Sequence, residues 1–439
     1  MHFLKIILIS LLFLSSNTKI SANNIIGSKD YVLALQKATN IMVNDVASPV
    51  AASRYYAYIT IAAYEIYHIV NQKEYSSYRT VLNEFPTIII ADSLSKKADK
   101  NLASILMVYR CSETLLPSGY LIKKEIDSIK NNFINKGEQF TFNITLELVN
   151  NYLNNYMPYV RKDGFAKLNN LPRYTPKKGP GFWQPTAPAF MQGLEPHWNK
   201  LRTFVIDSAQ SFKVIPPVLY DTSKQSSFYQ QMEEVYDVVN KKNKEQIAIA
   251  SFWDCNPFHV TQIGHVEFGT KKISPGGHWI GITGIVALQN NLSLAKTLEI
   301  HSLVGIALAD AFIACWDEKY LSQRIRPETA IQKLINPRWA PLLQTPPFPE
   351  YVSGHSVVSC AAALILTQYF GENQSFIDNT ETPFGLPIRK FQSFQQAARE
   401  ASLSRLYGGI HFRDAIEQGI WLGEQVGKKV ISKLLRFCY

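Results

Sequence analysis

Apolar residues recur at helical spacing along most of the chain. Behind Ser48-Pro49, a capping serine followed by proline at the first helical position, Tyr55, Ile59, Ala62, Ile66 and Ile69 step along one face. The pattern stays helical from 28 to 164, with further runs over about 93–116, 121–135 and 141–161. In the second half Phe228, Met232, Val235 and Val239 mark another buried stripe. Runs at 245–253, 278–290, 293–319 or beyond, 356–370, 393–406 and 413–435 follow it, with turn-rich loops at 272–277 and 337–354. Within 28–164 no strand-like alternation of useful length appears. The pattern predicts an all-α protein of two helical bundles.

The bundles are separated by a change of texture. Prolines at 172, 176, 180, 185, 188, 196, 216 and 217 exclude a long helix, while Phe182-Trp183 and His197-Trp198 supply aromatics that a flexible linker would not need. The expected organisation is a leader at 1–22, an N-terminal bundle at 23–163, an ordered irregular connector at 164–223 and a C-terminal bundle at 224–439. The leader reads as a cleavable secretion signal: Lys5, the short apolar run 6–14, and small residues at Ile20-Ser21-Ala22. Beyond Ala22 no stretch of about 20 residues is continuously apolar, and 357–369, broken by Ser359 and Thr367, reads as a core helix. The expectation is an exported protein, periplasmic or extracellular, with no integral membrane segment in the mature chain.

A hydrophobic share of 46% over 439 residues supports a substantial core. Loss of Lys5 and Lys19 with the leader lowers the formal charge from +10 to +8, which favours anionic partners. Scattered basic residues and the lack of a recognisable motif argue against nucleic acid. Cys111, Cys255, Cys315, Cys360 and Cys438 suit neither a disulfide framework nor zinc-ligand spacing.

Three short blocks carry the chemistry. Lys319-Tyr-Leu-Ser-Gln-Arg-Ile-Arg326-Pro327 ends a long apolar helix on which Phe312, Cys315, Trp316 and Lys319 share a face. If that helix continues, Arg326 returns to the same face and Pro327 stops it. An anion clamp and a solvated basic helix end both suit the pattern. Ser353-Gly354-His355 opens a helix, where free N–H groups and a partial positive charge attract anions, although for the tripeptide alone a plain cap with a surface histidine is the commoner explanation. Ser404-Arg405 is followed by Gly408-Gly409 and His411, so the turn brings Arg405 and His411 toward one point. Asp414 and Glu417 then cap the last helix or orient His411.

In this order and spacing the blocks resemble the signature of the vanadium-dependent haloperoxidases and type 2 phosphatidic acid phosphatases, a superfamily with one site for vanadate or phosphate. The resemblance spans roughly 225–439 and implies an all-helical fold with its site in the C-terminal bundle. By motif position it implies that Lys319, Arg326, Ser353, Gly354 and Arg405 hold the oxyanion, that His355 is the acid–base residue, and that His411 is the axial nitrogen ligand to vanadium or the phosphatase nucleophile. Trp316 and Phe348 resemble the aromatics of a halide pocket, and ordinary core packing would serve them equally. Val352 stands where the family usually has proline. Asp414 lies three residues after His411 where the family acid lies four after, and Asp254 is a second candidate for support through an arginine.

The resemblance implies one of two activities. The first is a vanadate-dependent peroxidase acting on hydrogen peroxide and a halide, with His355 moving protons and Lys319 polarising the peroxide. The second is a cofactor-free acid phosphatase in which His411 attacks a phosphate ester. A non-catalytic oxyanion-binding protein is a third expectation, disfavoured because binding alone does not call for two placed histidines.

Overall fold

The computed structural model describes residues 26–70, 77–257, 259–263 and 266–435, so the expected signal peptide and Cys438 lie outside the described residues. The N-terminal half is built from α1 (Ser28–Asn44), α2 (Pro49–Val70), the single turn α3 (Asp92–Ser95), α4 (Lys100–Leu115), α5 (Lys123–Asn135) and α6 (Gln139–Arg161). Ser48 caps α2 by accepting the Ala51 N–H at 3.2 Å, as the Ser-Pro pair predicts. From Pro49 to Tyr67 every residue of α2 is buried, so the expected stripe is a helix covered on all sides. Its polar residues are matched internally. Arg54 pairs with Asp163 at 2.5 Å, and Glu65 accepts from the Tyr78 N–H at 2.6 Å and the Ser77 hydroxyl at 2.7 Å.

The connector contains two short turns, α7 (Phe165–Leu168) and a 3-10 turn at Trp198–Lys200, and is otherwise irregular up to α8. It is ordered by specific contacts. Trp183 and Trp198 are each 1% exposed. Trp183 N–H donates to the Gln323 carbonyl at 2.8 Å, and Leu194 N–H to Pro347 at 2.9 Å. The buried Asp310 carboxylate accepts the N–H groups of Phe204, Val205 and Ile206 at 2.7, 2.7 and 3.0 Å. One acidic side chain thus satisfies three consecutive donors that no helix or strand serves.

The second half comprises α8 (Ser227–Asn240), α9 (Lys244–Phe252), α10 (Pro275–Gln289), α11 (Leu294–Ser322), α12 (Pro327–Leu334), α13 (Gly354–Phe370), α14 (Phe394–Tyr407) and α15 (Arg413–Leu434). Two small antiparallel hairpins interrupt the helices, β1 (His259–Ile263) with β2 (Val266–Thr270) and β3 (Phe376–Asp378) with β4 (Arg389–Phe391). Their alternation is too brief to stand out in the sequence. The organising element is α11, which packs on α2, α10, α13 and α15 within one apolar core shared by both halves. It is the one described helix long and apolar enough to cross a membrane, and its apolar window is entirely buried in the protein.

Two details position the site. α11 ends at Ser322 because Gln323 adopts a left-handed conformation (φ 50°), and Arg326 caps the separate helix α12. The expectation that Arg326 continues the face of Lys319 is therefore wrong; a loop, not helical periodicity, brings it back. Between α13 and α15 the contact is closer than side chains allow: a Cβ on Gly423 would lie 2.2 Å from the Val357 carbonyl, and one on Gly419 2.9 Å from that of Ser353. These glycines let α15 lie directly against the start of α13.

Candidate active site

The sequence motifs meet where the C-terminal end of α11, the N-terminus of α13 and the α14–α15 turn converge. A pocket there is lined by Trp316, Phe348, Gly354, His355, Arg405 and His411, with Phe312 and Cys255 among its walls. The Trp316 and Phe348 ring centroids are 4.9 Å apart, and Trp316 is fixed by donating its indole N–H to the Leu194 carbonyl at 3.2 Å. The connector therefore sets one wall of the pocket.

Three cations gather behind these walls. Lys319 is fully buried and donates to the carbonyls of Pro349 at 3.2 Å, Glu350 at 3.1 Å and, more closely, Val352. Burial, with a smaller contribution from Arg326, pulls its ammonium down to about 7. Val352, which stands where the family usually has proline, is anchored through that backbone carbonyl. Arg326, also fully buried, donates to the carbonyls of Phe348 at 3.0 Å and Ile410 at 2.8 Å, and its Nη1 lies 3.2 Å from His411 Nε2. Arg405 donates from Nη1 to the Trp253 carbonyl at 2.8 Å, while its Nε is buried without a hydrogen-bond partner.

Ser353 caps α13. Its N–H donates to the Ala415 carbonyl at 2.9 Å, and its hydroxyl oxygen accepts from the Ser356 hydroxyl at 2.9 Å, which leaves its own proton to donate. At Gly354 a Cβ would meet the nearest atoms, in Trp316, Cys315 and Phe312, at 3.7–3.9 Å. Packing by the protein alone does not require glycine there. His355 bonds the Trp253 backbone through one ring nitrogen and leaves Nε2 buried without a partner. Burial, then Arg405 and His278, holds its pKa well below the usual histidine value.

The structure supplies the partner of His411. Its Nδ1 lies 2.9 Å from Glu350 Oε1, which also accepts the Phe412 N–H at 2.9 Å. Burial and the neighbouring Arg326, Lys319 and Arg405 hold His411 well below its usual pKa, so the ring is neutral, with its proton on Nδ1 and the Nε2 lone pair turned to the cations. Burial raises Glu350 to about 7 against the opposing pull of Arg324. Asp414 makes no contact with His411. It pairs with Arg324 at 2.5 Å, and Arg324 reaches Glu350 at 3.3 Å, so Asp414 acts two steps away. Asp254 forms its close ion pair with Lys272, not with an arginine, although its charge acts on Arg405.

Comparison with known proteins follows this geometry. A family model described as the VCPO second helical-bundle domain matches residues 333–438. The structure superposes on that of the first bacterial vanadium-dependent iodoperoxidase with a TM-score of 0.88 at 44% identity, over 93% of this chain and 97% of that one. The chain belongs to the vanadium-dependent haloperoxidase family. Two bacterial vanadium-dependent chloroperoxidase structures share the fold. The holo form has a TM-score of 0.65 at 16% identity, over 94% of each chain; the apo form has 0.64 at 15%, over 89% of this chain and 94% of that one. Among curated proteins, no match is found.

Within this family member, Glu350 and Arg324 are the site residues that sequence reasoning missed. Their signal was present but unspecific: a lone acid in Pro347-Phe348-Pro349-Glu350-Tyr351, directly ahead of Ser-Gly-His, and a second arginine between Lys319 and Arg326. Polar residues inside an apolar stretch demand a partner, but sequence does not name it.

Proposed function

We propose that this enzyme holds vanadate among Lys319, Arg326, Ser353, Gly354, Arg405 and His411, and uses hydrogen peroxide to oxidise a halide, iodide being the first to test. The observation that carries the reading is a pair of buried polar atoms without a partner, the Arg405 Nε–H donor and the His355 Nε2 acceptor, in the same pocket as His411, whose Nε2 meets Arg326 Nη1 at 3.2 Å. An oxyanion held there would accept from Arg405 Nε and could share a proton with His355 Nε2, and the space at Gly354 lies on the pocket side. A single bound water would not match three converging groups and three cations.

Vanadate, when bound, supplies a Lewis acid that activates hydrogen peroxide for oxygen transfer without changing its own oxidation state. The chain does the rest. His411 presents Nε2 because Glu350 holds the proton on Nδ1. Lys319, Arg326 and Arg405 compensate the oxyanion charge in a water-poor setting, where each donor acts strongly. His355, neutral at rest, takes a proton from the peroxide at Nε2 and returns it to the departing water. Trp316 and Phe348 form the apolar side through which a large, weakly hydrated halide reaches the site. The leader read at residues 1–22 supports an exported enzyme.

The test is a paired assay. Protein loaded with orthovanadate should oxidise iodide with hydrogen peroxide, the metal-free protein should not, and His411→Ala should lose the activity while remaining folded by circular dichroism. Hydrolysis of a phosphate ester, inhibited by vanadate, with no halide oxidation after loading, would instead assign the cage to a phosphatase.

A further inference from the structure

A second cluster lies behind the cage. Cys255 follows α9, His278 sits in the first turn of α10, and Glu381 lies in the turn after β3; they are 2%, 0% and 2% exposed. Cys255 Sγ is 3.5 Å from His278 Nδ1 and 3.7 Å from Glu381 Oε1, and Nδ1 is 3.2 Å from the same oxygen. We propose that these three side chains bind a divalent transition-metal ion, zinc being the best fit, at a second centre beside the oxyanion cage, whose pocket Cys255 also lines.

The distances describe a coordination triangle. Tetrahedral zinc with bonds of about 2.3 Å to sulfur and about 2.0 Å to nitrogen or oxygen places S and N, or S and O, about 3.5 Å apart, and N and O about 3.3 Å apart. All three edges agree. Independently, the far side of the imidazole is arranged as in metal-binding histidines: Nε2 donates to Asp378 Oδ2 at 2.7 Å, and Asp378 Oδ1 is fixed by the N–H and hydroxyl of Thr380 at 3.0 and 2.7 Å. Without an ion these carboxylates hold His278 above the usual histidine value; an ion would displace the Nδ1 proton while Asp378 keeps the one on Nε2.

A proton shared between His278 and the carboxylates is the competing explanation, and the two sides of the ring separate them. An imidazolium between two carboxylates would make charge-assisted contacts of about 2.7–2.9 Å on both sides. Nε2 has such a contact, whereas Nδ1 stands 3.2 Å from Glu381 with a sulfur at 3.5 Å. The Nδ1 side has the spacing of ligands around an ion. Among the described residues no further cysteine, histidine or carboxylate joins the group, so water takes the fourth position.

The site has a purpose in the fold. The Trp253 ring stacks on His278 with centroids 4.4 Å apart, and the Trp253 backbone receives Arg405 Nη1 and the His355 ring. An ion on His278 therefore braces the carbonyl that aims both residues, and ties α10 to the β3–β4 hairpin. The ligands come from three distant segments, hence no ligand spacing in the sequence.

The experiment is elemental analysis of the mature protein, purified without a metal-affinity step from medium containing zinc. One equivalent of zinc is expected. Protein produced in cobalt medium should show visible d–d bands of a tetrahedral site and a near-ultraviolet thiolate-to-cobalt band, and Cys255→Ser should lose that band and most of the metal. Trace metal only, or cobalt uptake without the thiolate band in wild type, overturns the proposal. The wild-type spectrum needs no variant to fold, and vanadate enters none of these measurements, so failure here is separate from failure of the haloperoxidase reading.

Discussion

Replacing Glu350 by glutamine tests how His411, the proposed ligand to vanadate, is held. The side-chain amide oxygen can still accept from His411 Nδ1 and from the Phe412 N–H, each now 2.9 Å from Glu350 Oε1, so the geometry survives. The charge does not. A hydrogen bond to an ionised acceptor contributes about 1.5–3 kcal/mol and a neutral one about 0.5–1.5, so the difference transmitted to the Nε2 lone pair is about 1–1.5 kcal/mol, close to tenfold in affinity. Arg324 keeps its pair with Asp414 at 2.5 Å, which protects the fold. Because Glu350 is raised to about 7, it already carries a proton below that pH and then resembles glutamine. The ratio of orthovanadate Kd in Glu350→Gln to that in wild type should be near one at pH 5.5 and about tenfold at pH 8. Taking the ratio cancels the ionisation of vanadate itself. Titration calorimetry on metal-free protein measures it, and a ratio near one at both pH values, or one independent of pH, would refute the role given to Glu350.

Lys319→Met should give the opposite profile: Lys319 is lowered to about 7, so its charge is present below that pH and lost above it, and the Kd ratio should be large in acid and shrink toward one in alkali. Asp310→Asn removes a buried acid raised to about 6. An acid with a raised folded pKa contributes stability below its unfolded pKa and loses it as pH rises through the folded one, so wild type should lose about 3 kcal/mol relative to the variant between pH 4 and 7, measured by urea unfolding. Gly423→Ala forces a methyl to within 2.2 Å of the Val357 carbonyl and should cost about 3 kcal/mol or more, read as a lower thermal midpoint. Gly419→Ala, aimed at the Ser353 carbonyl at 2.9 Å, should weaken orthovanadate binding more than its stability change explains; unchanged binding would show that the α13 start tolerates the shift.

Much of the architecture was legible because it is written locally. The helical runs follow from spacing of three and four, and Ser48-Pro49 and Ser353 cap helices within a residue or so of where they were expected. The connector was readable as ordered from aromatics among prolines. Three motifs pointed to the pocket where they meet because each lies within a few residues of chain. Arg326 shows the limit: its spacing from Lys319 suggested one helical face, but a left-handed Gln323 ends the helix first.

What the sequence determined alone is the inventory: helices, a set of cations, two histidines and an irregular strap. The tertiary structure decided the pairings. Glu350 meets His411 across 61 positions, Asp414 is diverted to Arg324, and Cys255, His278 and Glu381 gather from separate segments. Periodicity reports which face of an element is apolar, whereas a buried polar group takes whichever partner the packing of distant elements brings within about 3 Å.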